Sequence, residues 1–212
     1  MTLPNAHKGV QKLFIAEILN IIGVVLMLFA LVAFGAAYGA YKAHEGAAAE
    51  GLALGGILPL LAGTLLPIIG VILTLVGLRQ ASKDEPDRMN KAFWFGIFTL
   101  IFAIVAGAFQ GFSKPAYITF NTIASILQIC MSVFAIMGVS EVTQNISRQD
   151  VADMGPKIMV IVIIATVCAI IASIIGNVIG GVAAIIASIL MLVAYVVYVV
   201  FLARATSALA QG

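Results

Sequence analysis

Long apolar tracts without a formal charge alternate along this chain with short polar stretches that hold nearly all its ionic residues. The uncharged tracts lie between Glu17 and Lys42 (24 residues), Glu50 and Arg79 (28), Lys91 and Lys114 (22), Lys114 and Glu141 (26), and Lys157 and Arg204 (46). A bilayer's hydrocarbon core is about 30 Å thick and takes roughly 20 apolar residues per helical crossing, so each of the first four tracts supplies one span. The fifth would make a helix of about 69 Å, more than twice that core, and must turn back on itself. Gly176-Asn177-Val178-Ile179-Gly180-Gly181 is the expected reversal, because glycine admits the backbone angles of a tight turn, and Asn177 reads as turn chemistry. The pattern predicts an all-α integral membrane protein, a six-span transmembrane helical bundle of three consecutive antiparallel hairpins. It reads as a single transmembrane domain over 1–212, with spans at 13–40, 53–79, 92–112, 116–139, 157–176 and 181–203.

Composition narrows this further. Hydrophobic residues make up 63% of the chain and charged residues 9%, against about 25% charged in soluble domains. One soluble core of this size cannot hide so much apolar surface, so lipid is the expected solvent. The polar stretches between the tracts are too short to fold alone. Lys8 and Lys12 followed by an apolar run resemble the start of a signal peptide. The run from Ile18 to about Phe34 exceeds the roughly 7–15 residues of a signal core, which favours an uncleaved first span.

The basic residues set an orientation. If the N-terminal segment, the 79–91 loop, the 140–157 loop and the C-terminal tail share one side, that side holds Lys8, Lys12, Arg79, Lys83, Arg88, Lys91, Arg148, Lys157 and Arg204. Only Lys42 and Lys114 fall opposite. Positive charge marks the cytoplasmic face, so both termini are expected in the cytoplasm. Tyr38, Tyr41 and Tyr117 then lie at outer ends of spans, and Trp94, Tyr195 and Tyr198 near inner ends, as an interfacial aromatic belt requires. Asp87 is the expected N-cap of the third span. In the 140–157 loop, Val142, Ile146 and Val151 or Met154 suggest an interfacial helix, which Gly155-Pro156 ends as the fifth span begins. Asn145-Ile146-Ser147 matches a glycosylation site, but a cytoplasmic position excludes its use. Lys12, Lys91 and Lys157 each open an apolar run, at spacings of 79 and 66 residues, so any threefold hairpin repeat is loose.

Candidate functional chemistry is sparse. Glu17 is the one acidic residue expected inside the bilayer, with Asn20 close to the same helical face; an intramembrane carboxylate is either a functional group or a snorkelling one. In the fourth span Asn121, Ser125, Gln128 and Ser132 follow i, i+4, i+7 and i+11 on one face, a polar stripe expected to point into the bundle rather than into lipid. It serves either as interhelical glue or as a wet pathway. In the second span Gly56, Gly63, Gly70 and Gly77 recur every seven residues and form a small-residue face for close helix packing, an internal seam or a subunit interface. Gly35/Gly39, Gly107/Gly111 and Ala172/Gly176/Gly180/Ala184/Ser188 repeat that small-residue spacing. Pro59 and Pro67 interrupt the second span's backbone bonding and are expected to kink it.

No catalytic motif accompanies these residues: the chain has no H-E-x-x-H, G-x-S-x-G or Walker A sequence and no paired carboxylates within the spans. Cys130 and Cys168 fall inside spans and read as small apolar residues, and His44 beside Glu45 offers too few ligands for zinc. No enzyme, cofactor or metal is therefore expected, and a net charge of +2 gives no nucleic-acid signal. The size and six-span layout alone are similar to the substrate-binding components of small vitamin importers, a likeness of architecture that involves no motif. Two functions remain open. One is a small transport-type protein, channel-forming or solute-binding, that uses the polar stripe and Glu17. The other is a non-catalytic scaffold or accessory subunit whose glycine faces contact a second copy or another membrane protein. The expected location is a cell membrane, multi-pass, and the short loops point to a bacterial inner membrane.

Overall fold

The computed structural model describes residues 3–43, 46–179 and 181–211, with side chains at all of these except 46, 47, 49 and 169–188. The described residues form helices joined by short turns, without strand. In chain order the helices are α1 (Pro4–Lys42), α2 (Gly46–Ala81), α3 (Pro86–Phe109), α4 (Lys114–Asn145), α5 (Gln149–Ala152), α6 (Met154–Ile179) and α7 (Gly181–Gln211). Six of the helices are long and apolar enough to cross a membrane. The chain is a multi-pass membrane protein by this measure. Large apolar side chains stand exposed along the spans, such as Val32 (71%) and Leu58 (76%), as lipid contact requires.

The helices overrun the expected spans, mostly at the ends assigned to the cytoplasm. α1 begins at Pro4 rather than 13, α4 runs to Asn145 rather than 139, and α7 runs to Gln211 rather than 203; α3 instead stops at Phe109, short of 112. A helix bonds its own backbone in water as in lipid, so it continues past the bilayer until a cap or breaker stops it. α6 is described to Ile179 and α7 from Gly181. Gly180 and the side chain of Asn177 lie outside the described residues, as do His44, Glu45 and the side chains of the small-residue series from Ala172 to Ser188.

Two local features differ from expectation. Glu85, not Asp87, caps α3: its carboxylate accepts from the N–H groups of Arg88 (3.0 Å) and Met89 (2.8 Å), because Pro86 takes the first helical position. Asp87, one residue into the helix, accepts instead from Lys91 at 2.7 Å. The second difference lies in the 140–157 loop, where no independent interfacial helix forms. Val142 is buried within α4, which continues to Asn145. Ser147 then adopts a φ of 61°, Arg148 N–H returns to the Thr143 carbonyl (3.0 Å), and the four-residue α5 follows. Gly155-Pro156 lies within the first turn of α6, where proline fits the start of a helix.

The chain divides into two compact units, Leu13–Thr74, and Met1–Lys12 with Leu75–Gly212. The first unit comprises most of α1 and α2. A Cβ on Gly56 would lie 3.2 Å from the Phe34 ring, one on Gly63 2.8 Å from Met27 Cγ, and one on Gly70 2.5 Å from Asn20 Oδ1. The contacts descend α1 as they ascend α2. Pro67 lies against Gly23, whose added Cβ would be 2.7 Å from the proline Cδ. α2 runs unbroken through Pro59 and Pro67.

In the second unit α3 packs along α4. Arg88 pairs with Glu141 (2.9 Å), Phe95 stacks on Phe134 (5.5 Å between centroids), and Phe109 stacks on Phe120 (5.5 Å). Gly96 lets Leu75 and Met131 converge, since its Cβ would lie 2.8 Å from Leu75 Cδ2 and 3.0 Å from Met131 Sδ. Gly155 similarly admits Ser140, whose hydroxyl donates to the Ala152 carbonyl. Val10, Leu78, Met89, Ile136, Val142 and Phe201 are fully buried, so this unit's core gathers where α1 begins and α2, α4 and α7 end.

Candidate functional site

Three places hold polar chemistry. The first lies on α1, where Glu17 and Asn20 are both half-buried and the Asn20 amide donates weakly to Glu17 Oε2 at 3.4 Å. Asn20 Oδ1 fills the space left by the missing side chain of Gly70. The structure thus brings together two residues that the sequence treated separately, a pathway candidate and a member of the glycine face. Near the start of α1, Lys12 donates to Gln80 Oε1, and Gly9 lies against the carbonyl of Gly77, from which an added Cβ would be 2.6 Å.

The second is the α4 stripe. Asn121 and Gln128 are exposed, while Ser125 and Ser132 are half-buried. The Ser125 hydroxyl donates to the Asn121 carbonyl (2.9 Å), within its own helix. The buried residues of α4 are Ala124 and, toward its C-terminal end, Ala135, Ile136, Val139 and Val142. The expectation that the whole stripe points into the bundle therefore fails for its two amides.

The third place went unnoticed in the sequence. An open cleft of about 480 Å3 is lined by Leu75, Val76, Arg79, Gln80, Lys83 and Phe93. The Arg79 guanidinium lies 5.5 Å from the centroid of the Phe93 ring and reaches Asn90 Oδ1 at 3.3 Å. Arg79 and Lys83 served only as topology charges in the sequence. Arg79 at the end of α2 and Lys83 in the turn just beyond it stand four residues apart, which was the available signal, but Phe93 joins them only through the fold. A second open cleft, of about 340 Å3, lies between the α5 region and the end of α7, where Arg148 chelates Asp150 (3.1 and 3.2 Å) and reaches Gln211 (3.1 Å). Neither cleft touches the α4 stripe.

Among the described residues, no three histidine, cysteine or acidic side chains gather into a metal site. Cys130 and Cys168 are half-buried free thiols. The chain matches no known family model, curated protein or solved structure.

Proposed function

We propose that this chain is a non-catalytic membrane subunit that acts by helix–helix contact with other membrane proteins, a scaffold or accessory component rather than a self-contained transporter. Gln128 carries the reading. It stands exposed on α4, 14 residues from Lys114 and 13 from Glu141, about 20 Å along the helix from either charged flank. At that depth lipid offers an amide no hydrogen-bond partner, so a neighbouring protein must supply one. Asn121, two turns away and also exposed, extends the same polar face. Gly35/Gly39 on α1 and Gly51/Gly55 on α2 add exposed G-x-x-x-G pairs, and Gly107 on α3 is equally open, with nothing within 4 Å of an added Cβ.

The arrangement proposed with this function is three consecutive antiparallel hairpins with both termini in the cytoplasm of a bacterial inner membrane. The 9-to-2 division of basic residues supports the orientation. A second reading keeps transport. If copies assemble with their α4 amides facing a common axis, Asn121 and Gln128 line a solute path between chains, and Glu17 and Asn20 play no part in it.

Gln128→Leu separates the two. Loss of interhelical hydrogen bonding should weaken self-association or partner capture in bilayer nanodiscs by roughly 3- to 20-fold, the range of measured intramembrane hydrogen bonds. Unchanged association together with abolished uptake in proteoliposomes would move the assignment to transport.

A further inference from the structure

We propose that the cleft formed by Arg79, Lys83 and Phe93 binds the phosphate of an anionic phospholipid. The cations there lack carboxylate partners. Arg79 and Lys83 enter no ion pair among the described residues, and each carboxylate of the adjoining 84–87 turn is engaged elsewhere. Asp84 accepts from the Asn5 amide (2.9 Å) and the Ala6 N–H (2.8 Å). Glu85 is buried and caps α3, and Asp87 holds Lys91 at 2.7 Å. The cleft therefore keeps positive charge that its own loop does not neutralise. Gln80 lines the cleft and also holds the Lys12 ammonium, which places a third cation at its rim.

The cleft's other wall specifies a lipid rather than a soluble anion. Leu75, Val76 and Phe93 continue from the cations along α2 and α3 toward the apolar spans, so a phosphate beside Arg79 and Lys83 would have its acyl chains on apolar surface. Phe93 is half-buried and orients the guanidinium from one side, leaving its remaining N–H donors for phosphate oxygens. Basic pockets between membrane helices at the cytoplasmic side are suited to phosphate headgroups, and the same residues mark that side here.

The test uses the full-length protein in neutral detergent, titrated with phosphatidylglycerol, phosphatidylcholine or inorganic phosphate and read by native mass spectrometry. The wild type should retain phosphatidylglycerol over phosphatidylcholine. Combined Arg79→Gln and Lys83→Gln should weaken phosphatidylglycerol binding roughly thirtyfold, two basic contacts' worth. Lys83→Arg should preserve binding, and Lys114→Gln, outside the cleft, should not alter it. Both cleft residues are exposed, so the double variant should melt like the wild type, and a collapsed melt would be replaced by the Lys83→Gln single variant. Equal retention by wild type and double variant, or an equal loss in Lys114→Gln, overturns the proposal. Inorganic phosphate that binds as tightly as the lipid and displaces it overturns the assignment to lipid.

Discussion

Gly70 shows how much one absent methyl group decides in this chain. A Cβ there would lie 2.5 Å from Asn20 Oδ1 and 3.2 Å from the Ala16 carbonyl, so a methyl displaces the Asn20 amide and a bulky side chain has no room beside α1. Gly63 meets Met27 in the same manner. Gly63→Leu or Gly70→Leu should therefore destabilise the fold by about 1–3 kcal/mol, the ordinary cost of overpacking, and lower the melting temperature in detergent. Gly35→Leu and Gly107→Leu add bulk to open space and should leave that temperature unchanged or raised, since leucine favours helix over glycine. If they also weaken association in bilayers, those glycines are partner contacts. Equal melting behaviour in all four variants would remove the seam. The seven-residue period of Gly56, Gly63 and Gly70 was legible in the sequence because periodicity reports which residues share a face. What that face meets was not, because Met27, Asn20 and Phe34 carry no mark of their partners.

Elements in this protein end where a specific side chain or turn stops them. Asp84, beyond the end of α2, accepts from the Ala6 N–H and so satisfies a donor that α1 cannot bond within its own first turn. Such a carboxylate also favours the positive end of a helix dipole. Asp84→Ala should cost about 0.5–2 kcal/mol, the range for a lost N-terminal cap, and speed amide hydrogen exchange at Ala6 and His7 while leaving α3 unaffected. Glu85→Ala should do the converse, exposing Arg88 and Met89. Uniform exchange in both variants would show that the caps are redundant. The sequence placed the helices well because charge-free tracts are long and unmistakable. It misplaced the α3 cap because Glu85 and Asp87 flank Pro86, and the preference of proline for the first helical position selects the earlier one. It missed the extension of α4 because Val142 and Thr143 look amphipathic alone, whereas the fold buries both.

At the scale of the whole molecule, orientation decides what every other feature can do. The Arg79–Lys83 cleft can meet anionic lipid of the cytoplasmic leaflet only if the 79–91 loop lies on that side, and the α4 amides lie at bilayer depth only if Lys114 and Glu141 bracket a crossing. The basic residues argue for both, because they crowd the proposed cytoplasmic segments nine to two. The exposed aromatics mark span ends: Tyr38 (61%) and Tyr41 (72%) stand near the C-terminal end of α1, where the Lys42 ammonium lies 4.8 Å from the Tyr38 ring, and Trp94 (51%) stands in the N-terminal part of α3. Single cysteines in a background with Cys130 and Cys168 replaced by alanine turn this into a measurement. Lys114→Cys should react with an impermeant maleimide added to intact cells. Lys83→Cys and Arg148→Cys should react only after the membrane is opened. Labelling of Lys83→Cys from outside, with Lys114→Cys protected, would invert the protein. Labelling of all three from one side would mean that α3 and α4 do not both cross, and Gln128 would then lose the apolar surroundings on which its role as a contact residue depends.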